Sequence, residues 1–90
     1  MRLIYKFPIA YIDRQEVFIP TGYKILTVQN QKGIICIWAL VDVNAPSECV
    51  KIRIISTGQP IEDSDKLEYI GTVQLAFGDV VYHIFRELEV

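Results

Sequence analysis

The stretch Ile34-Ile35-Cys36-Ile37-Trp38-Ala39-Leu40-Val41, bounded by Gly33 and Asp42, decides the fold class. A strand with one wet face alternates apolar and polar residues, whereas an unbroken apolar run marks a strand covered on both faces. The run is too short to span a bilayer, and its β-branched and aromatic residues favour strand over helix. It reads as the central strand of a small β domain.

The segments around it carry the same signature. Residues 24–30 alternate, with Leu26 and Val28 on one face and Ile25, Thr27 and Gln29 on the other. Gln31-Lys32-Gly33 then supplies a tight polar turn, so this strand and the central one form an antiparallel hairpin. Upstream, residues 2–7 alternate and end at Pro8, and residues 15–19 form a short strand closed by Pro20-Thr21-Gly22. Downstream, residues 42–48 are turn-rich and residues 50–56 form a strand with Val50, Ile52 and Ile54 inward and Lys51 and Arg53 outward. Were the chain to fold back at Asn44-Ala45-Pro46, Cys36 would lie opposite residues near Ile54. Thr57-Gly58-Gln59-Pro60 ends that strand, and an acidic loop follows, with Asp63 or Ser64 placed to cap one short helix near residues 63–68. Residues 69–75 and 80–85 flank Ala76-Phe77-Gly78-Asp79 as a second hairpin. The whole is an all-β, mainly antiparallel chain of about seven short strands, a small sandwich or a partly open barrel. Residues 1–90 read as a single β-rich domain.

Composition narrows the function. Hydrophobic residues make up 51% of the chain, rich for 90 residues, so either the core is unusually full or apolar surface is buried against another copy; the second reading, a homo-oligomer, is the expected one. A net charge of −2 excludes a general nucleic-acid binder, which needs a basic surface to displace counterions. Met1-Arg2-Leu3-Ile4-Tyr5-Lys6 is too short and charged for a signal peptide, and no segment reads as a membrane span, so the expected location is the cytoplasm. Cys36 and Cys49 are expected to stay reduced there.

Catalysis needs positioned partners, and the sequence offers none. The one histidine, His83, shares a face with Val81 and Phe85 and reads as a packed, hydrogen-bonded residue. Two cysteines and one histidine match no zinc spacing, so neither enzyme nor cofactor is expected. Most aromatic residues, Trp38 among them, read as core. The best ligand site is the corner at Thr57-Gly58-Gln59. It has hydroxyls and a glycine that permits close backbone approach, and Lys51 and Arg53 lead into it. In a binding protein of this design, Lys51 and Arg53 neutralise phosphate, Thr57 and Gly58 donate hydrogen bonds, and Tyr69 or Trp38 stacks on a base. The competing reading is a protein-interaction module, or a minor virion component, without a small ligand.

Several elements together resemble a widespread family of small proteins encoded by phages and prophages. They are Ile4-Tyr5-Lys6, Ile25-Leu26-Thr27-Val28-Gln29, Ile37-Trp38-Ala39-Leu40-Val41-Asp42, Gly58-Gln59-Pro60-Ile61, Tyr69-Ile70-Gly71-Thr72-Val73-Gln74 and His83-Ile84-Phe85. Two positions depart from the pattern: Gln59 stands where histidine is expected and Tyr82 where tryptophan is. The resemblance implies a non-enzymatic protein of the sponge type, which sequesters a nucleotide second messenger of bacterial anti-phage defence, with a cyclic dinucleotide as the ligand class.

Overall fold

A computed structural model of the chain describes residues 1–88. Its strands are β1 (Arg2–Ile9), β2 (Arg14–Pro20), β3 (Lys24–Gln31), β4 (Ile34–Asp42), β5 (Ser47–Ser56), β6 (Leu67–Leu75) and β7 (Val80–Glu87). The remaining regular elements are two single 3₁₀ turns, Ser64–Lys66 and Ala76–Gly78. The strands form two antiparallel sheets, β1-β4-β3 and β2-β5-β7-β6, stacked as a sandwich. No helix among the described residues is long and apolar enough to cross a membrane.

Alternation builds the core. Ile35, Ile37, Ala39 and Val41 of β4 have no solvent exposure. They meet Val50, Ile52 and Ile54 of β5, Ile84 of β7, Val73 and Leu75 of β6 and Ile19 of β2 in one cluster. Each such aliphatic side chain contributes about 1.5–3 kcal/mol by leaving water. The expected faces of β5 and both expected hairpins, β3–β4 and β6–β7, are present.

Other expectations change. β4 has a second sheet over one face only: its even-numbered face carries exposed Ile34, half-buried Trp38 and Leu40, and Cys36, which neighbouring side chains bury. Cys36 is covered because Lys6 on β1 reaches across β4 to donate to Gln31 Oε1 on β3 at 2.9 Å. The chain does not fold back after β4 but crosses to the other sheet, so Cys36 lies opposite Pro8 and Gln29 instead of Ile54. Cys36 and Cys49 lie on the outer faces of different sheets and do not pair with one another, and Cys49 Sγ donates to Glu16 Oε2 at 2.7 Å. Pro8 does not end β1, which continues to Ile9, because an edge strand tolerates proline where the missing N–H points away from the neighbour. Asp63 caps the short 3₁₀ turn without a side-chain hydrogen bond.

Two β-bulges account for the largest departures from simple alternation. One falls between Ile25 and Thr27 of β3, so Ile25 joins Val28 inside and Leu26 is left 44% exposed. The other falls between Tyr69 and Gly71 of β6 and puts Tyr69 on the same outer face as Thr72. These edge strands of the two sheets meet at a seam, where Asn30 Nδ2 donates to the Gln74 carbonyl at 3.1 Å. A Cβ at Gly71 would lie 2.6 Å from Val28 Cγ1, so the seam closes only around a glycine. Gly71→Ala is expected to cost about 1–3 kcal/mol through overpacking. The double variant Gly71→Ala with Val28→Ala should lose less than the sum of the single variants, as read by urea unfolding.

Candidate functional site

The outer face of the four-stranded sheet gathers most of the candidate residues. Cross-strand register sets Arg14, Arg53, Phe85 and Tyr69 in one line over β2, β5, β7 and β6. Ile55, His83 and Thr72 form the next line toward the Thr57 corner, while Glu16 and Lys51 lie on the other side. Tyr69 is 58% exposed and meets Phe85 edge-on, with ring centroids 5.6 Å apart. Trp38 is not part of this face. It stands on the outer face of the three-stranded sheet, on the opposite side of the sandwich, and cannot share a ligand with Tyr69 within one chain.

A chain of hydrogen bonds crosses the face. His83 Nε2 lies 2.7 Å from Thr57 Oγ1 and His83 Nδ1 lies 2.9 Å from Thr72 Oγ1. Thr72 Oγ1 is in turn 2.5 Å from the Tyr69 hydroxyl. A neutral imidazole has one donor and one acceptor nitrogen, so one threonine donates to the ring and the other accepts from it. The histidine is the packed, hydrogen-bonded residue the sequence implies, and it orients hydroxyls on both sides. Thr72 escaped the sequence reading because plain alternation separates it from Tyr69. The available signal was Gly71, since an isolated glycine within a strand often marks a bulge.

Arg53, expected to meet phosphate, is engaged within the chain. It is 6% exposed, and its guanidinium donates to both carboxylate oxygens of Asp13, Nε to Oδ1 at 2.8 Å and Nη2 to Oδ2 at 3.1 Å. The Gln59 amide Nε2 also donates to Asp13 Oδ2, at 3.1 Å, and Gln59 Oε1 accepts from the Ser56 N–H. The Asp13 carboxylate also lies in a loop whose own carbonyl accepts from the Ile54 N–H. Arg53 and Gln59 therefore hold the corner in shape, and the corner's glycine, Gly58, turns with positive φ. A buried arginine already satisfied by a carboxylate would have to break that pair before meeting phosphate. Asp13 went unnoticed in the sequence because it is forty positions from its partner.

Lys51 is left as the cation of this face with no ion pair among the described residues, whereas Arg14 pairs with Glu87 at 3.1 Å in an exposed bridge. Lys51 borders a cleft of ≈ 670 Å³ where β5 runs past the end of its pairing with β7. Tyr23 and Arg86 form another wall of that cleft. Arg86 donates to Glu68 and to the Tyr23 hydroxyl, and burial pushes the Tyr23 hydroxyl pKa up. Among the described residues no group of histidine, cysteine and carboxylate side chains could hold a metal ion.

Fold and site define an antiparallel two-sheet sandwich with a polar and aromatic platform on one outer face. The chain belongs to the family of the domain of unknown function DUF7352, whose model matches residues 1–90. No curated protein and no solved structure gives a match.

The Arg53 hydrogen bonds hold the Asp13 carboxyl below its ordinary value of 3.8. A depressed carboxylate pKa stabilises the fold fully above the unfolded value, and that contribution is lost as pH falls through the folded value. Asp13→Asn should destabilise by about 1–3 kcal/mol at pH 7. That is less than a fully buried pair would cost, because Asp13 is 36% exposed. In urea unfolding the gap between wild type and variant should narrow as pH falls through the folded-state pKa of Asp13, where the wild-type carboxylate takes up its proton.

Proposed function

We propose that this chain is a non-enzymatic binding protein that sequesters a nucleotide second messenger of the cyclic dinucleotide class, working as a homo-oligomer. The observation that carries the reading is the placement of Lys51 and the exposed Tyr69 ring on one face. They lie on strands separated by β7 and two residues out of line, so roughly 12 Å apart at about 4.8 Å per strand spacing and about 3.3 Å per residue. That distance suits a phosphate at one end and a base at the other. Tyr69 offers an aromatic surface worth about 1–3 kcal/mol per stacked base. Thr72, His83 and Thr57 line the neighbouring row with oriented polar atoms that can meet a base edge. Arg14 can join Lys51 on phosphate at low cost, because its bridge to Glu87 is solvent-exposed. Arg53, Gln59 and Gly58 shape the corner without meeting the ligand. The resemblance to phage-encoded proteins supplies the setting: a host cell whose defence depends on such a messenger.

Binding to the folded state alone raises the melting temperature by mass action. A panel of cyclic dinucleotides at saturating concentration should therefore contain at least one that shifts the melting transition. Lys51→Ala and Tyr69→Ala should each weaken binding by roughly tenfold or more in calorimetry, and Trp38→Ala should leave the affinity unchanged. Absence of a shift across the panel would overturn the reading.

A further inference from the structure

β1 is an edge strand that is open along its length. It is the end strand of its sheet, and Arg2 to Lys6 are all exposed. The Val43 N–H donates to the Met1 carbonyl at 3.2 Å, which assigns the odd-numbered residues to the β4 ladder. Antiparallel alternation then turns the main-chain groups of Arg2, Ile4, Lys6 and Pro8 outward. Edge strands are ordinarily guarded by charge. The edge of β2 has Arg14 and Glu16, and the edges of β3 and β6 cover one another at the seam. On β1 the guarding residues are Arg2 and Lys6, but Arg2 donates to the Gly22 carbonyl and the Lys6 ammonium is held by Gln31 on the far side of β4. The edge is also apolar on both faces. Ile4 is 60% exposed on the outer face, and Leu3 and Tyr5 are 40% and 42% exposed on the inner one.

From this geometry we infer that β1 pairs antiparallel with β1 of a second copy, about a two-fold axis through Tyr5, joining two three-stranded sheets into one. Charge selects the register. Directly opposed residues share a face, so odd must oppose odd and even must oppose even. An axis through Ile4 would set Arg2 against the partner's Lys6, and an axis through Lys6 would set the two Lys6 side chains against each other. Like charges so opposed are destabilising. An axis through Tyr5 opposes Ile4 to the partner's Lys6, Leu3 to the partner's Phe7 and Tyr5 to the partner's Tyr5, with no like charges in line. In that register Ile4 and the partner's Lys6 exchange both main-chain hydrogen bonds. Arg2 donates to the carbonyl of the partner's Pro8, whose missing N–H loses nothing within the chain. The Leu3, Tyr5 and Phe7 row gains an apolar neighbour at every position. This interface rests on the oligomeric part of the proposed function and is independent of its ligand.

Sedimentation of the full chain without nucleotide, at about 50 µM, is expected to show a dimer. Ile4→Lys places two lysines in opposition and should weaken self-association at least roughly tenfold. Ile4→Glu places glutamate against lysine and should keep the dimer at low salt and weaken it as salt rises. Both changes sit on an exposed side chain, and thermal melts of the isolated variants check that each still folds. Tyr5→Cys should give a covalent dimer on mild oxidation, because the opposed Cα atoms of a non-hydrogen-bonded pair, about 4.5 Å apart, fall within disulfide reach. A monomeric wild type, an Ile4→Lys variant as dimeric as wild type, or an Ile4→Glu variant as monomeric as Ile4→Lys would each overturn the inference. Loss of nucleotide binding with an intact dimer would count against the ligand alone.

Discussion

Ile35, Ile37, Ala39 and Val41 lie in one row on β4 with no access to solvent, and the remaining architecture follows from keeping them dry. Flanking strands β1 and β3 protect the backbone edges of β4 but cannot cover its face. That requires a second layer, provided chiefly by β5 and β7, and the chain must cross between layers after β1, after β2 and after β4 to build it. The seam between β3 and β6 sets how closely the layers approach, and the absent side chain at Gly71 leaves room for Val28. Both strands of the seam are bulged, which bends them and redirects their side chains. One redirection places Ile25 in the core, and the other brings Tyr69 within hydrogen-bonding distance of Thr72.

The two outer faces have unequal chemistry. On the four-stranded sheet, buried Arg53 is matched by Asp13, which also accepts from Gln59, so the corner at Thr57 is held by side-chain hydrogen bonds reaching across the fold. Such a pair is costly to break from one side, because the remaining charge is left buried. A fixed corner in turn positions Thr57 against His83. On the three-stranded sheet, Trp38, Leu40 and Ile4 form an apolar strip flanked by cations, and β1 leaves an edge open. The proposed ligand belongs to the first face and the proposed strand pairing to the edge of the other sheet.

Much of the fold was legible in the sequence, because a strand with a buried face writes its period into the chain. The hairpin at Lys32-Gly33, the inward Val50, Ile52 and Ile54 and the outward Lys51 and Arg53 all follow from alternation. The bulge of β3 was not legible, since it has no glycine to mark it, as Gly71 marks that of β6, and one extra residue reverses every face assignment after it. The placement of Leu26 failed for that reason. The candidate site was legible in part: Lys51, Arg53, Thr57, Gly58, Gln59 and Tyr69 come from neighbouring strands and turns of one sheet, whereas Trp38 belongs to the other. Asp13, which gives Arg53 its role, is distant in sequence and has no local signature.

By itself the sequence determined that the chain is all-β, that its strands are antiparallel, where its two hairpins turn and which side chains of β5 face the core. Each of these depends on local period or turn chemistry, and both are written within a few residues. Tertiary structure alone decided how strands divide between sheets, that only one face of β4 has a second sheet over it, that Arg53 is buried against Asp13, and that Tyr69, Thr72, His83 and Thr57 form one line of contacts. These depend on pairing between residues far apart in the chain, where the packing of one layer on another selects the register and no short stretch of sequence carries the information.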